Sequence, residues 1–188
     1  AKNVWAVGLF GAILKWDGTA WAAQASGTTA YLRGIWGSAA NNLYAIGELG
    51  VILRYDGTAW STVPSGTSIG LNGIGGSSAS DVWAVGNNGA ILRYDGTGFS
   101  SRSSGSLAGQ NGVWGSDPNN IWVVGDAGQV LKWNGSSFTP QASGASRTLM
   151  AVWGSDARNV WAVGIGGAIQ YWNGTAWTTQ ASGTVQNL

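Results

Sequence analysis

Residues 81–96 read DVWAVGNNGAILRYDG, and the phrase recurs, lightly reworded, at four other places in the chain. Its opening Asn or Asp falls at Asn3, Asn42, Asp81, Asn120 and Asn159, a step of 39 residues each time without insertion or deletion. A fixed period between about 20 and 50 residues marks a repeat architecture, in which each unit buries its apolar faces against its neighbours. The reading of one unit therefore decides the fold.

In the copy from Leu71 to Gly109, four short strands are predicted. Val82–Val85 and Ala90–Tyr94 are apolar, β-branched and aromatic, as buried strands are. Between them, Asn87-Asn88 flanked by Gly86 and Gly89 predicts a two-residue turn. Asp95-Gly96 predicts a type I′ hairpin with both residues at positive φ. A polar, Ser-rich fourth strand starts at Phe99, and LNGIGGS, residues 71–77, supplies a first strand whose small residues permit close backbone packing.

Four antiparallel strands per repeat with no helix signal predict an all-β chain, a β-propeller of four-stranded antiparallel blades. Residues 1–188 read as one closed domain, with a partial repeat 1–31 followed by 32–70, 71–109, 110–148 and 149–188. The middle strands lack polar–apolar alternation because both faces of a blade meet neighbouring blades. Three aromatic columns are expected to fill the wedges between blades. They are Trp5, Tyr44, Trp83, Trp122, Trp161; Trp16, Tyr55, Tyr94, Trp133, Trp172; and Trp21, Trp60, Phe99, Phe138, Trp177.

Composition narrows the function classes. Charged residues make up 9% of the chain, and nine Lys and Arg against eight Asp and Glu leave a net charge of +1. That removes the electrostatic case for nucleic acid or anionic lipid. No apolar run approaches the roughly 20 residues of a membrane span. With no His and no Cys, the common nucleophile–base pairs, thiolate and imidazole metal sites and disulfides are absent, and neither an enzyme nor a cofactor is expected. Asp17, Asp56 and Asp95 open DG turns, and Asn134 and Asn173 replace them in the other copies, so this column reads as turn chemistry rather than catalysis. Lys15, Arg54, Arg93 and Lys132, with Tyr171 in the fifth copy, form a column expected to pair with nearby Asp or to cover aromatic faces.

The turns differ in how far they vary. The second-to-third-strand turns read LF, EL, NN, DA and IG, and the links into each first strand vary as well, while the other turns are nearly constant. The two variable sets open onto one face, where a scaffold carries its binding residues. Candidate ligand-binding residues are Phe10, Glu48, Asn87, Asn88 and Asp126 on the turns, Tyr31 and Arg147 on the links, and Arg33, Asn72 and Asn111 near the channel mouth.

The phrase VWAVG-x-x-GAIL-(K/R)-(W/Y)-DGTAW resembles the repeat of tectonin- and tachylectin-type β-propellers over nearly the whole chain. Its DG-x-x-W hairpin is similar to a reduced Asp box of sialidase-type propellers, without the leading Ser and with no catalytic set to place. Trp16-Asp17 matches the WD40 dipeptide, but the Gly-His element of those repeats is missing. The tectonin resemblance implies a non-enzymatic, lectin-like protein with several weak glycan sites, secreted or at the cell surface. The alternative reading is a scaffold whose variable face binds a protein, or a repeat array designed or excised for folding studies, without a ligand.

The repeats also set an expectation for the ends. Leu32, Leu71, Gln110 and Leu149 open the four complete first strands, and Leu188 is the next member of that column. Ala1 corresponds to the residue just after such a strand, so one blade is expected to lack its innermost strand. Its uncovered edge is expected to belong to a longer propeller, or to be filled by another chain, through self-association, or by rearranged termini.

Overall fold

A computed structural model describes residues 3–188. The chain winds through five antiparallel sheets in sequence order. The first holds β1 (Val4–Val7), β2 (Ile13–Trp16) and β3 (Trp21–Gln24). The second holds β4 (Leu32–Ala39), β5 (Asn42–Gly47), β6 (Ile52–Tyr55) and β7 (Trp60–Thr62). The third repeats this with β8 (Leu71–Ser78), β9 (Asp81–Gly86), β10 (Ile91–Tyr94) and β11 (Phe99–Ser101). The fourth comprises β12 (Gln110–Asp117), β13 (Asn120–Gly125), β14 (Val130–Trp133) and β15 (Phe138–Pro140). The fifth comprises β16 (Leu149–Asp156), β17 (Asn159–Gly164), β18 (Ile169–Trp172) and β19 (Trp177–Thr179). Each sheet is a meander of neighbouring strands, so the four-strand reading holds, and the first sheet lacks an innermost strand as expected. Ala1 itself lies outside the described residues.

The sheets stack in chain order about the long strands β4, β8, β12 and β16. Burial explains the missing alternation: every residue of β9 and β13 is buried, because a sheet presses on each face. At the two ends the period of two returns, with β1 exposing Val4 and Ala6 and β17 exposing Trp161. Among the described residues the fifth sheet does not pack back on the first, and Trp153 and Trp161 remain 64% and 40% exposed. The arc is therefore open, not closed as the sequence suggested. The Leu188 amide donates to the Gly164 carbonyl at 3.1 Å, as that of Leu32 does to Gly8 at 3.0 Å, so Leu188 takes the first position of an innermost strand.

Aromatic columns build the joints. Trp83 meets Trp133 and Phe138 of the next sheet at centroid distances of 5.1 and 5.5 Å. Trp122 meets Trp172 and Trp177 at 5.0 and 5.2 Å, and Tyr44 and Trp5 contact the corresponding rings of their own next sheets. A cation closes each of these four joints. Lys15, Arg54, Arg93 and Lys132 lie 4.9–5.8 Å from the centroids of Trp5, Tyr44, Trp83 and Trp122. Each such contact contributes about 0.5–2 kcal/mol according to its desolvation. In the fifth sheet Tyr171 stacks on Trp161 instead, at 4.4 Å.

Two turn expectations need correcting. The DG hairpins are not two-residue type I′ turns: Tyr94 pairs with Phe99, leaving four residues in the loop, and only the glycine, Gly96 at φ 102°, is left-handed. Asp95 instead accepts the Thr97 amide and hydroxyl, so its carboxylate organises the loop through an Asx turn. The turn at Asn87-Asn88 is shifted by one residue: Asn88 at φ 54° and Gly89 at φ 70° are its two left-handed central residues, and the Ala90 amide closes it on the Asn87 carbonyl, which delays β10 to Ile91.

Candidate functional site

The candidate residues stand on two devices of the backbone. Each innermost strand skips its second residue in the ladder: Leu32 pairs with Gly47 and Gly34 with Ile46, leaving Arg33 unpaired. The same bulge leaves Asn72, Asn111 and Met150 unpaired in β8, β12 and β16. A bulge re-aims its side chain, and here it sends three polar side chains across to neighbouring sheets. The second device is the tight left-handed turn after β5, β9 and β13, whose first residue is Glu48, Asn87 or Asp126. Their amides bond the carbonyls of Tyr31, Gly70 and Gly109, which fixes each turn against the start of its innermost strand.

These groups join into two hydrogen-bonded chains along the rim. Arg33 donates from Nη2 to Glu48 Oε1 at 2.8 Å and from Nη1 to Asn72 Oδ1 at 2.6 Å in the third sheet. Asn72 Nδ2 donates to Asn87 Oδ1 at 2.9 Å and to the Gln110 carbonyl of the fourth sheet at 3.1 Å. In the second chain, Asn111 Nδ2 donates to Asp126 Oδ1 at 3.2 Å and to the Leu149 carbonyl at 3.1 Å. Asp126 also accepts the Gly109 amide at 3.1 Å and, at 3.5 Å, the hydroxyl of Thr148, a residue the sequence reading did not single out.

The remaining candidates fall outside these chains. Phe10 and Tyr31 form an edge-to-face pair at 5.2 Å, and the Arg147 guanidinium lies against Gly166. Asn88 faces away, into a cleft of about 730 Å³ between the second and third sheets, lined also by Leu92, Phe99 and Arg102. Leu9 and Leu49 are exposed on the same turns as Phe10 and Glu48, and are visible in the sequence only as the other letters of the variable pairs LF and EL.

Electrostatics at the rim are uneven. The Arg33–Glu48 ion pair has both side chains about two-fifths exposed, so solvent screening holds it to roughly 1 kcal/mol or less. Asp126 has no cationic partner among the described residues. Among those residues, too, no group of His, Cys, Asp and Glu is placed to hold a metal ion. Among the described residues no helix is long and apolar enough to cross a membrane.

No family model and no curated protein matches the chain. Solved structures do. YCF48 bound to a D1 peptide shares 15% identity at a TM-score of 0.72, over 95% of this chain and 63% of that one. YCF48 from Cyanidioschyzon merolae shares 16% at 0.72, over 92% and 66%. The WD40 repeats of RRP9 share 9% at 0.77, over 95% and 60%. The chain is a β-propeller. It spans less than two thirds of the length of these neighbours. Identities this low carry the fold alone, so the similarity to WD40 repeats does not revive the Trp16-Asp17 match, and the tectonin-type repeat finds no counterpart among these structures.

Proposed function

We propose that the chain is a protein-interaction scaffold whose variable rim receives a peptide or loop of another protein. The observation that carries this reading is the rim of cross-blade hydrogen bonds. Residues that change from copy to copy, Arg33, Asn72 and Asn111, occupy an identical bulge and present donors and acceptors along an otherwise uniform scaffold. Main-chain amides and carbonyls of a bound segment are the natural partners of such a row. One neighbour of the same fold, YCF48, is known bound to a D1 peptide, which supports the reading by analogy of fold.

The glycan reading gains no support. The rings of the interior joints, Tyr44, Trp83 and Trp122, are fully buried and unavailable for sugar stacking, and no comparison points to carbohydrate. The test is to pass the immobilised chain over a displayed random-peptide library and a glycan panel. Enriched peptides should lose binding to the triple variant Arg33→Ala/Asn72→Ala/Asn111→Ala and keep it on Asp95→Asn at the opposite rim. Glycan retention without peptide binding would overturn the proposal.

A further inference from the structure

Two successive positions in each turn after the second strand are left-handed: the second is always glycine (Gly11, Gly50, Gly89, Gly128 and Gly167, at φ 70–75°), and the first is Phe10 at φ 55°, Leu49 at 57°, Asn88 at 54°, Ala127 at 53° and Gly166 at 67°. Such a backbone suits Gly and Asn and strains bulky apolar residues. The fifth and third copies obey that preference with Gly166 and Asn88, but the first two copies place Phe10 and Leu49 there. Both side chains also point into solvent, 71% and 74% exposed. Each residue is thus unfavourable twice over for folding, by strain and by exposure, in a turn that other copies build from residues suited to it. Strained backbone held by a rigid frame points towards a role in binding.

The two residues stand on neighbouring turns joined through one link. Phe10 packs edge-on against Tyr31, the Tyr31 carbonyl accepts the Glu48 amide at 3.0 Å, and Leu49 follows Glu48. Leu9, 60% exposed, adds a further apolar side chain on the first blade. Exposed apolar groups gathered on neighbouring turns of one rim mark a recognition surface, unlike ones scattered over a molecule. Further along the same rim the character changes, and the Asp126 carboxylate stands without a cation among the described residues.

Building on the scaffold reading, we propose that the rim is a two-part dock for an extended peptide. Apolar side chains of the peptide seat on Phe10, Tyr31 and Leu49, and a Lys or Arg further along meets Asp126. The Arg33–Asn72–Asn87 row lies between and holds the peptide backbone.

The probes are fluorescent peptides of about ten residues, long enough at roughly 3.3 Å per residue to cross several blades. Each carries Leu-Phe at one end, Lys-Lys at the other and a Gly-Ser spacer of graded length. Control peptides replace Leu-Phe by Ser-Ser or Lys-Lys by Glu-Glu. Anisotropy should show binding of the intact probe at one spacer length and not of the controls. Phe10→Asn and Leu49→Asn should each raise the melting temperature yet weaken binding about tenfold or more, as loss of an anchoring side chain does. Asp126→Asn should weaken only the Lys-bearing probe and flatten its salt dependence. Peptide binding indifferent to Phe10→Asn and Leu49→Asn would overturn this dock and leave the scaffold reading standing. Absence of binding by any peptide, library or probe, would remove both. Self-association of the wild type that vanishes in Leu49→Asn, with no peptide bound, would assign these residues to a second copy instead and overturn the proposal.

Discussion

Arg93 reaches back across its hairpin to Asp81, donating from Nε to Oδ1 at 2.9 Å while its guanidinium lies 5.2 Å from the centre of the Trp83 ring. Asp81 is buried and also accepts the Ser77 hydroxyl at 2.6 Å and the Trp83 indole N–H at 3.1 Å. Ser77 itself occupies a second bulge of β8, unpaired between Gly76 and Ser78. One carboxylate thus ties together an innermost strand, a second strand and a joint between blades.

Removing that carboxylate should be costly. Asp81→Ala strands Arg93 and the Trp83 N–H and is expected to destabilise the protein by about 3 kcal/mol. Asp81→Asn should cost about 1 kcal/mol or less, since an amide still accepts one hydrogen bond and Asn42, Asn120 and Asn159 serve in the same column. Denaturant melts of the two variants measure the difference, and equal losses would refute this account of the joint.

Acid should unfold the protein partly through its DG turns. The carboxyls of Asp17 and Asp56 are lowered from 3.8 to about 2, first by the Ala20 and Ala59 amides and then by the Thr19 and Thr58 hydroxyls. Asp95 is lowered equally, the Thr97 hydroxyl being the largest cause. A folded-state value below the unfolded one stabilises above about 3.8, and that contribution disappears as pH falls through about 2. The triple variant Asp17→Asn/Asp56→Asn/Asp95→Asn should therefore lose less melting temperature over this window than the wild type. Parallel acid curves would count against the turns.

Within the same turns, glycine and aspartate should behave differently. Gly57 sits at φ 104°, and a Cβ there would stand 2.9 Å from the Asn41 Cβ. Gly57→Val should cost roughly 1–3 kcal/mol through backbone strain and this contact. Asp95→Asn at neutral pH should be nearly silent, because Asn134 accepts the Ser136 amide and hydroxyl in the same geometry. Chemical denaturation read by Trp emission reports both.

Much of this fold is legible in the sequence because its causes are periodic. The step from Asn3 to Asn159, the apolar runs around Trp83 and Trp122 and the three aromatic columns predict five units, buried middle strands and filled wedges. Features that depend on pairing are less accessible. Nothing in LRGIWGS says that Arg33 drops out of the ladder; the bulge appears only once Leu32 and Gly34 are matched to β5. The DG pair suggests a tight turn, whereas the Asp carboxylate captures amides two and three residues on and opens the loop to four. Arg33, Glu48, Asn72 and Asn87 are each candidates from their variable positions, yet their union depends on which sheet stacks on which. Leu49 carries no signal of its own in the sequence; only the backbone shows that it holds the left-handed position that Asn88 and Gly166 take in other copies.

An open arc of sheets behaves as a line of coupled units, not as a ring. An interior blade is clamped on both faces and an end blade on one, so opening an end breaks a single joint and opening the middle breaks two. Amide exchange should then be graded by position, slowest in β9 and β13 and fastest in β1 to β3 and β16 to β19, and equal protection throughout would contradict the open arc. Asn72 and Asn111 spring from the tightly held centre. Phe10 rides on the first sheet, which is among the first to loosen. A partner that grips both ends of the rim would therefore act as a splint across a fraying terminus, and its arrival would be felt as protection spreading outward through the first blade.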